Sequence, residues 1–256
     1  MKRLSRLAIL YAAIALLFSL PIRAAAADSP PDFTGVWVGY AAEPEFVRTG
    51  TQALTESGQA LQDAYLSQYP NWVEPGAWCV PPGMPSTMTS LVAYPIEVIQ
   101  KGDQLTMLAE LEMQVRRVFI DGRDFPDDYP PTRMGYSIGH WEQDPDLGRQ
   151  VLVIETQLLK ETLDGRWPRT ENMEITERVY MATREEVGKE PSGFVATIAP
   201  PINNDTLVFE LTVTDPALYA GPITQTVYYQ RMSDDIFLEY DCAVARWQEA
   251  LEEANQ

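Results

Sequence analysis

Residue types that move protons and hold anions recur where strand alternation sets them beside apolar side chains. Arg117 stands two residues after Val115, Tyr136 and His140 flank Ile138, and Glu155 follows Val151 and Val153. Glu177, after Met173 and Ile175, and Glu239, after Phe237, repeat the pattern. A charge among apolar neighbours is costly unless it is paired, which leaves two roles. In one, Arg117 pairs with a glutamate and fixes the register of a core. In the other, Arg117, Tyr136, His140 and Glu155 line a cavity and act on a ligand. Tyr, His and Glu can take and return a proton, and Arg can hold a developing anion. That set suits a cofactor-independent lyase or isomerase, for example one eliminating water or a one-carbon fragment from a phenolic or carbonyl compound. His140 or Tyr136 would deprotonate, a glutamate would orient the base, and Arg117 would hold the oxyanion. Trp37, Trp141, Tyr228 and Tyr229 supply either aromatic walls or ordinary barrel packing. The partner expected is a small hydrophobic or aromatic molecule, and no cofactor is expected. Without catalysis, the same cavity describes a binding or carrier protein.

Other chemistries find little footing. The chain has no phosphate loop, no dinucleotide fingerprint and no serine-nucleophile elbow. "GYSIG" (135–139) imitates that elbow around Ser137, but it lies inside a strand pattern and not at a strand-to-helix turn. His140 is the only histidine, and Cys79 and Cys242 are far apart, which argues against a tetrahedral metal site. The acidic loop with Asp121, Asp124, Asp127 and Asp128 lacks calcium-loop spacing and reads as solvated. Formal charge is −18.

The elements that would position these residues begin after a leader. Lys2, Arg3 and Arg6 precede an apolar run from Leu7 to Leu20, and Ala25–Ala27 offer a small-residue cleavage pattern. That predicts a signal peptide over 1–27, a single domain over 28–256 and a periplasmic or secreted location. Loss of Lys2, Arg3, Arg6 and Arg23 leaves 15 basic against 37 acidic residues. Nucleic acid and anionic membrane are poor partners for such a chain, and no membrane span is expected after cleavage. Two cysteines in an exported chain predict a Cys79–Cys242 disulfide.

"FTGVWVGY" (33–40) reads as a first strand, and 55–68 as a short helix with Thr55 as N-cap and Leu54, Leu61, Ala64 and Tyr65 on its apolar face. A Pro/Gly-rich loop, "EPGAWCVPPGMPSTM" (74–88), follows. Strands are then predicted over 94–100, 104–120, around 135–142, and over 150–159, 173–183, 206–215, 223–232 and 236–242. Lys101-Gly102-Asp103 marks a hairpin turn. The run 104–120 places Leu105, Met107, Ala109, Leu111, Met113, Val115 and Arg117 on one face. The tail "AVARWQEALEEANQ" reads as an amphipathic helix, and 184–205 as a lid or a surface excursion. The sum is an all-β, antiparallel up-and-down barrel of eight or nine strands with a short helix near each end.

The segments "PDFTGVW", "CVPPGMPSTM", "YPIEVIQ", "QVRRVFIDGR", "MGYSIGHWE" and "LEYDC" resemble a largely uncharacterised group of exported bacterial proteins, over about residues 32–242. "EQDPDLGRQ" is longer here than the tight turn of that group, and 184–205 is expanded. The opening Gly35-x-Trp37 also resembles that of lipocalins. That resemblance implies a lipocalin-like barrel with an internal cavity and supplies no reaction.

Overall fold

The computed structural model describes residues 29–43, 53–68, 79–89, 94–163, 167–191, 200–234 and 237–243. The expected signal peptide, most of the C-terminal helix and the first part of the Pro/Gly-rich loop lie outside the described residues. Nine strands close into one barrel: β1 (Gly35–Glu43), β2 (Ile96–Lys101), β3 (Gln104–Ala109), β4 (Gln114–Phe119), β5 (Tyr136–Asp144), β6 (Arg149–Gln157), β7 (Glu174–Thr183), β8 (Asp205–Thr214) and β9 (Ile223–Arg231). They pair in chain order, with β9 returning to β1, consistent with a lipocalin-like barrel. Helix α1 (Glu56–Gln68) begins at Thr55, whose Oγ1 accepts from Gly58 N at 2.9 Å. Two short helices, α2 (Ser86–Thr89) and α3 (Arg184–Val187), are the other α-helices among the described residues.

Three departures from the sequence reading matter for the site. First, 104–120 is not one strand. A 3-10 turn at Leu111–Met113, with φ of 56° at Glu112 and 48° at Met113, reverses the chain between β3 and β4. Alternation restarts after the turn, so the inner residues switch from Leu105, Met107 and Ala109 to Gln114, Arg116 and Val118. Second, β4 and β5 are parallel, paired only as Val118↔Ser137 and Phe119↔Ile138. The crossover 120–135 carries the chain back to the end where β4 began, as parallel neighbours require. Third, 237–243 forms no strand. It covers the outside of the barrel, where Phe237 packs on Val36, Val38 and Met232.

The interior is filled. Trp37, Val98, Leu105, Ile154, Val179 and Phe209 are among its fully buried side chains, each contributing about 1.5–3 kcal/mol on burial. Met84 and Met88 enter the same cluster from the Pro/Gly-rich segment. All four residues of α2 are buried, and their polar groups are met by the barrel. Thr87 Oγ1 and Gly83 N donate to Gln114 Oε1 at 3.1 and 3.0 Å, and Tyr229 OH donates to Met88 O at 2.6 Å. Trp167 Nε1 donates to Thr89 Oγ1 at 2.8 Å. This segment plugs the end of the barrel where β4 and β5 begin. Near the other end, Arg231 lies 5.2 Å from the Trp37 ring, and Trp37 Nε1 donates to Phe33 O at 2.9 Å. Gly35, at φ 141°, makes room for that arginine, since a Cβ there would lie 2.2 Å from Arg231 Cζ.

Helix α1 docks through Gly58, and of the expected apolar face Leu54 packs on the core and Tyr65 is half-buried, while Leu61 and Ala64 are exposed. A Cβ at Gly58 would lie 2.4 Å from Leu218 O, so the small residue permits the contact. The expected bond between Cys79 and Cys242 is formed, with Cα atoms 5.8 Å apart.

Candidate functional site

Inside the barrel, four strands converge on a single ion pair. Arg116 (β4) donates from Nη1 to Glu177 Oε1 (β7) at 2.9 Å and from Nη2 to Glu177 Oε2. Its Nε donates to Ser137 Oγ (β5) at 3.2 Å, and Nη2 also donates to Thr156 Oγ1 (β6) at 2.9 Å. Ser137 and Thr156 share a further hydrogen bond at 2.7 Å. The charged side chains are 1% and 0% exposed. Both carboxylate oxygens are taken, which is how a buried charge is made tolerable. This is the register-fixing pair that sequence allowed for, with Arg116 in place of Arg117.

The expected catalytic group does not assemble indoors. Arg117 and Glu155 are exposed on the outer surface of β4 and β6, and His140 is exposed on β5. Tyr136 also faces outward, under the crossover loop. Its ring lies 5.2 Å from Phe119 and 4.9 Å from Tyr129, and its hydroxyl accepts from Arg123 Nη1 at 3.2 Å. Alternation grouped Tyr136 with His140, and Glu155 with Val151 and Val153, correctly. The face is the outer one, because the other side of the same strands carries Ser137, Leu152, Ile154 and Thr156 into the core. Among the expected aromatic walls, Trp37 and Tyr229 are buried inside, and Trp141 packs on Phe33 at 5.3 Å. Tyr228 lies on the opposite face from Tyr229, as neighbours in a strand must.

That outer face of β7, β8, β9 and β1 carries a tyrosine band. Tyr180 OH donates to Glu210 Oε1 at 2.9 Å, Tyr228 OH donates to Glu43 Oε2 at 3.0 Å, and Tyr40 OH shares a hydrogen bond with Thr206 Oγ1 at 3.2 Å. Arg178 bonds Glu142 at 2.6 Å and Asp144, and reaches Glu210 at 3.6 Å. Burial, then the bond to Glu43, pushes the Tyr228 hydroxyl up to about 12. Burial and Glu210 push Tyr180 up likewise. These tyrosines hold their protons and act as donors. Nearby, Arg149, followed by the Thr183 backbone, holds Glu186 down to about 2, and Glu186 and Thr183 form a capping box at the start of α3.

Open volume is found elsewhere among the described residues. A cleft of about 770 Å³ sits at the plugged end, where β6 and β8 finish and β7 and β9 begin. Met173, Tyr219 and Asp215 are buried in its wall, while Glu171, Asn172, Glu174, Pro216 and Pro222 form an exposed rim. Asp215 sets the wall's shape by accepting from Thr170 N at 2.6 Å, Thr170 Oγ1 at 3.0 Å and Ala217 N at 3.3 Å. On the rim Gln157 Nε2 donates to Glu174 Oε1 at 3.3 Å. Burial, with Asp215 nearby, pushes the Tyr219 hydroxyl up, and it donates to Pro168 O. Among the described residues, no Lys, Arg or His lines the cleft. Sequence reasoning passed over this region because its loops, 158–173 and 215–222, carry no catalytic motif. Thr170 and Asp215 gave no cue that they would meet 45 residues apart.

No protein-family model matches the chain, and no curated protein matches it.

Proposed function

We propose that this protein is an exported, non-catalytic barrel that binds a small, partly hydrophobic molecule in the cleft at its plugged end. The observation carrying this reading is the cleft itself. It is about 770 Å³, within the range of small-molecule sites, and it stands outside an interior already occupied by core. Leu158, Met173, Tyr219 and two prolines offer an apolar surface, and Glu171 and Glu174 offer acceptors at the mouth. With Glu171 and Glu174 on the rim and no basic side chain among the described lining residues, the fitting ligand presents hydrogen-bond donors or a positive charge to the rim. The Cys79–Cys242 bond supports an oxidising compartment. Elimination chemistry would need its acid and base within about 3 Å of one reacting point. Arg117, Tyr136, His140 and Glu155 are instead spread along the outside of β4–β6, and binding is preferred for that reason.

The test is a native mass-spectrometry screen of purified protein against small aromatic amines, phenols and ketones, repeated on two variants. A Cβ at Gly221, which lines the cleft, would meet nothing within 4 Å, so Gly221→Trp is the variant chosen to crowd the cleft. Loss of binding in Gly221→Trp with binding retained in His140→Ala supports the reading. Binding undisturbed by Gly221→Trp overturns the cleft as the site. A mass change in the compound that disappears with His140→Ala restores the lyase.

A further inference from the structure

The ladders that close the barrel are of unequal length, and the short ones are not scattered. β5–β6 pairs along nine residues, β7–β8 along ten and β8–β9 along eight. β2–β3, β3–β4 and β1–β9 each pair along six, the last across a bulge at Gly39/Ala41, and β6–β7 along five. By contrast, among the described residues, β1–β2 is joined at three pairs, Gly35↔Val98 to Trp37↔Ile96, continued by Phe33 N donating to Gln100 Oε1 and Gln100 N to Thr34 Oγ1, each at 3.1 Å, and β4–β5 is joined at two. The two short seams bracket β2, β3 and β4. The barrel is therefore a six-stranded sheet, β5 through β9 and β1, completed by a three-stranded panel.

We infer that the β2–β4 panel opens as a unit away from the six-stranded sheet, exposing the packed interior along a seam latched by Arg116 and Glu177. Arg116 belongs to the panel, while Glu177, Ser137 and Thr156 belong to three strands of the larger sheet. The guanidinium thus spans the interior beside the weaker seam and replaces backbone hydrogen bonds that the parallel pairing does not supply. The plug is fastened to both parts, through Gln114 on the panel and Tyr229 on the sheet. Segments joined by few hydrogen bonds open at lower free energy than the ladders flanking them, and in contiguous units. This motion does not depend on what the end cleft binds.

Native-state hydrogen exchange resolved by NMR on the full disulfide-bonded protein tests it. Amides donating across β1–β2 and β4–β5 should exchange at least about tenfold faster than those within β2–β3, β3–β4 and β7–β8. The double variant Arg116→Met/Glu177→Leu should accelerate the seam amides further and leave β7–β8 unchanged. Joining the seam from outside with Phe119→Cys/Ile138→Cys, a directly paired position, should slow them. Wild-type seam amides as protected as β7–β8 would overturn the panel, whether or not either variant folds. Unlatched and wild-type seams exchanging alike would overturn the latch.

Discussion

Replacing Arg116 by Met removes the cation and keeps most of the aliphatic stem. Glu177, fully buried, then loses two charge-assisted hydrogen bonds at once. Ser137 and Thr156 lose one donor each but keep the bond between them. Breaking a buried pair from one side costs about 3–5 kcal/mol, whereas replacing both partners by apolar groups is close to neutral or stabilising. In a domain of 150–250 residues each kcal/mol moves Tm by roughly 2–4 °C, so Arg116→Met should lower Tm by roughly 6–20 °C. Arg116→Met/Glu177→Leu should recover most of that loss. Thermal and urea unfolding of wild type, both singles and the double, followed by tryptophan fluorescence, gives the coupling directly. If Arg116→Met cost less than about 1 kcal/mol, water or another group would be serving Glu177. If the double were as unstable as the summed singles, the pair would not be the interacting unit that its geometry indicates.

Gly35→Ala should lower stability by about 1–3 kcal/mol, because it forces a side chain into positive φ and into the Arg231 guanidinium, and a chemical denaturation curve reads it. Reduction of Cys79–Cys242, or Cys79→Ser/Cys242→Ser, should lower unfolding free energy by up to about 5 kcal/mol for a loop of 163 residues, with calorimetry as the check. Glu112 is half-buried with one carboxylate oxygen lacking a hydrogen bond, and burial raises its pKa against a counteracting Arg133. A raised carboxyl favours the neutral form in the fold. Its ionisation penalty is therefore present above the folded pKa and absent below the unfolded one. Glu112→Gln should raise Tm at neutral pH, with the gain fading as pH falls through the carboxylate range.

Most of the barrel was legible because its long strands alternate and are separated by turn residues. The 101–103 turn and β5 to β9 follow the sequence pattern within a residue or two. The 3-10 turn at Leu111–Met113 was not legible, since "LEM" holds neither Gly nor Pro, and that one omission moved the inner arginine from 116 to 117. The direction of β5 was hidden for a different reason, because 120–135 is long enough to close either pairing. Which face is inner was undecidable from apolarity alone. Tyr40, Val151, Val208 and Tyr228 make the outer face of β1, β6, β8 and β9 as buried as the inner one. Segment 84–89 was invisible as core because Ser86, Thr87 and Thr89 are polar, and only their specific acceptors and donors make their burial possible.

The disulfide also imposes an order of events. Cys79 and Cys242 stand 163 residues apart, and every strand from β2 to β9 lies between them. At roughly 5–20 residues per second of synthesis, Cys79 exists for roughly 8–30 s before its only intramolecular partner is made. The bond cannot form before every strand from β2 to β9 has been synthesised. Any oxidant or partner thiol that reaches Cys79 during that interval competes with the native connection.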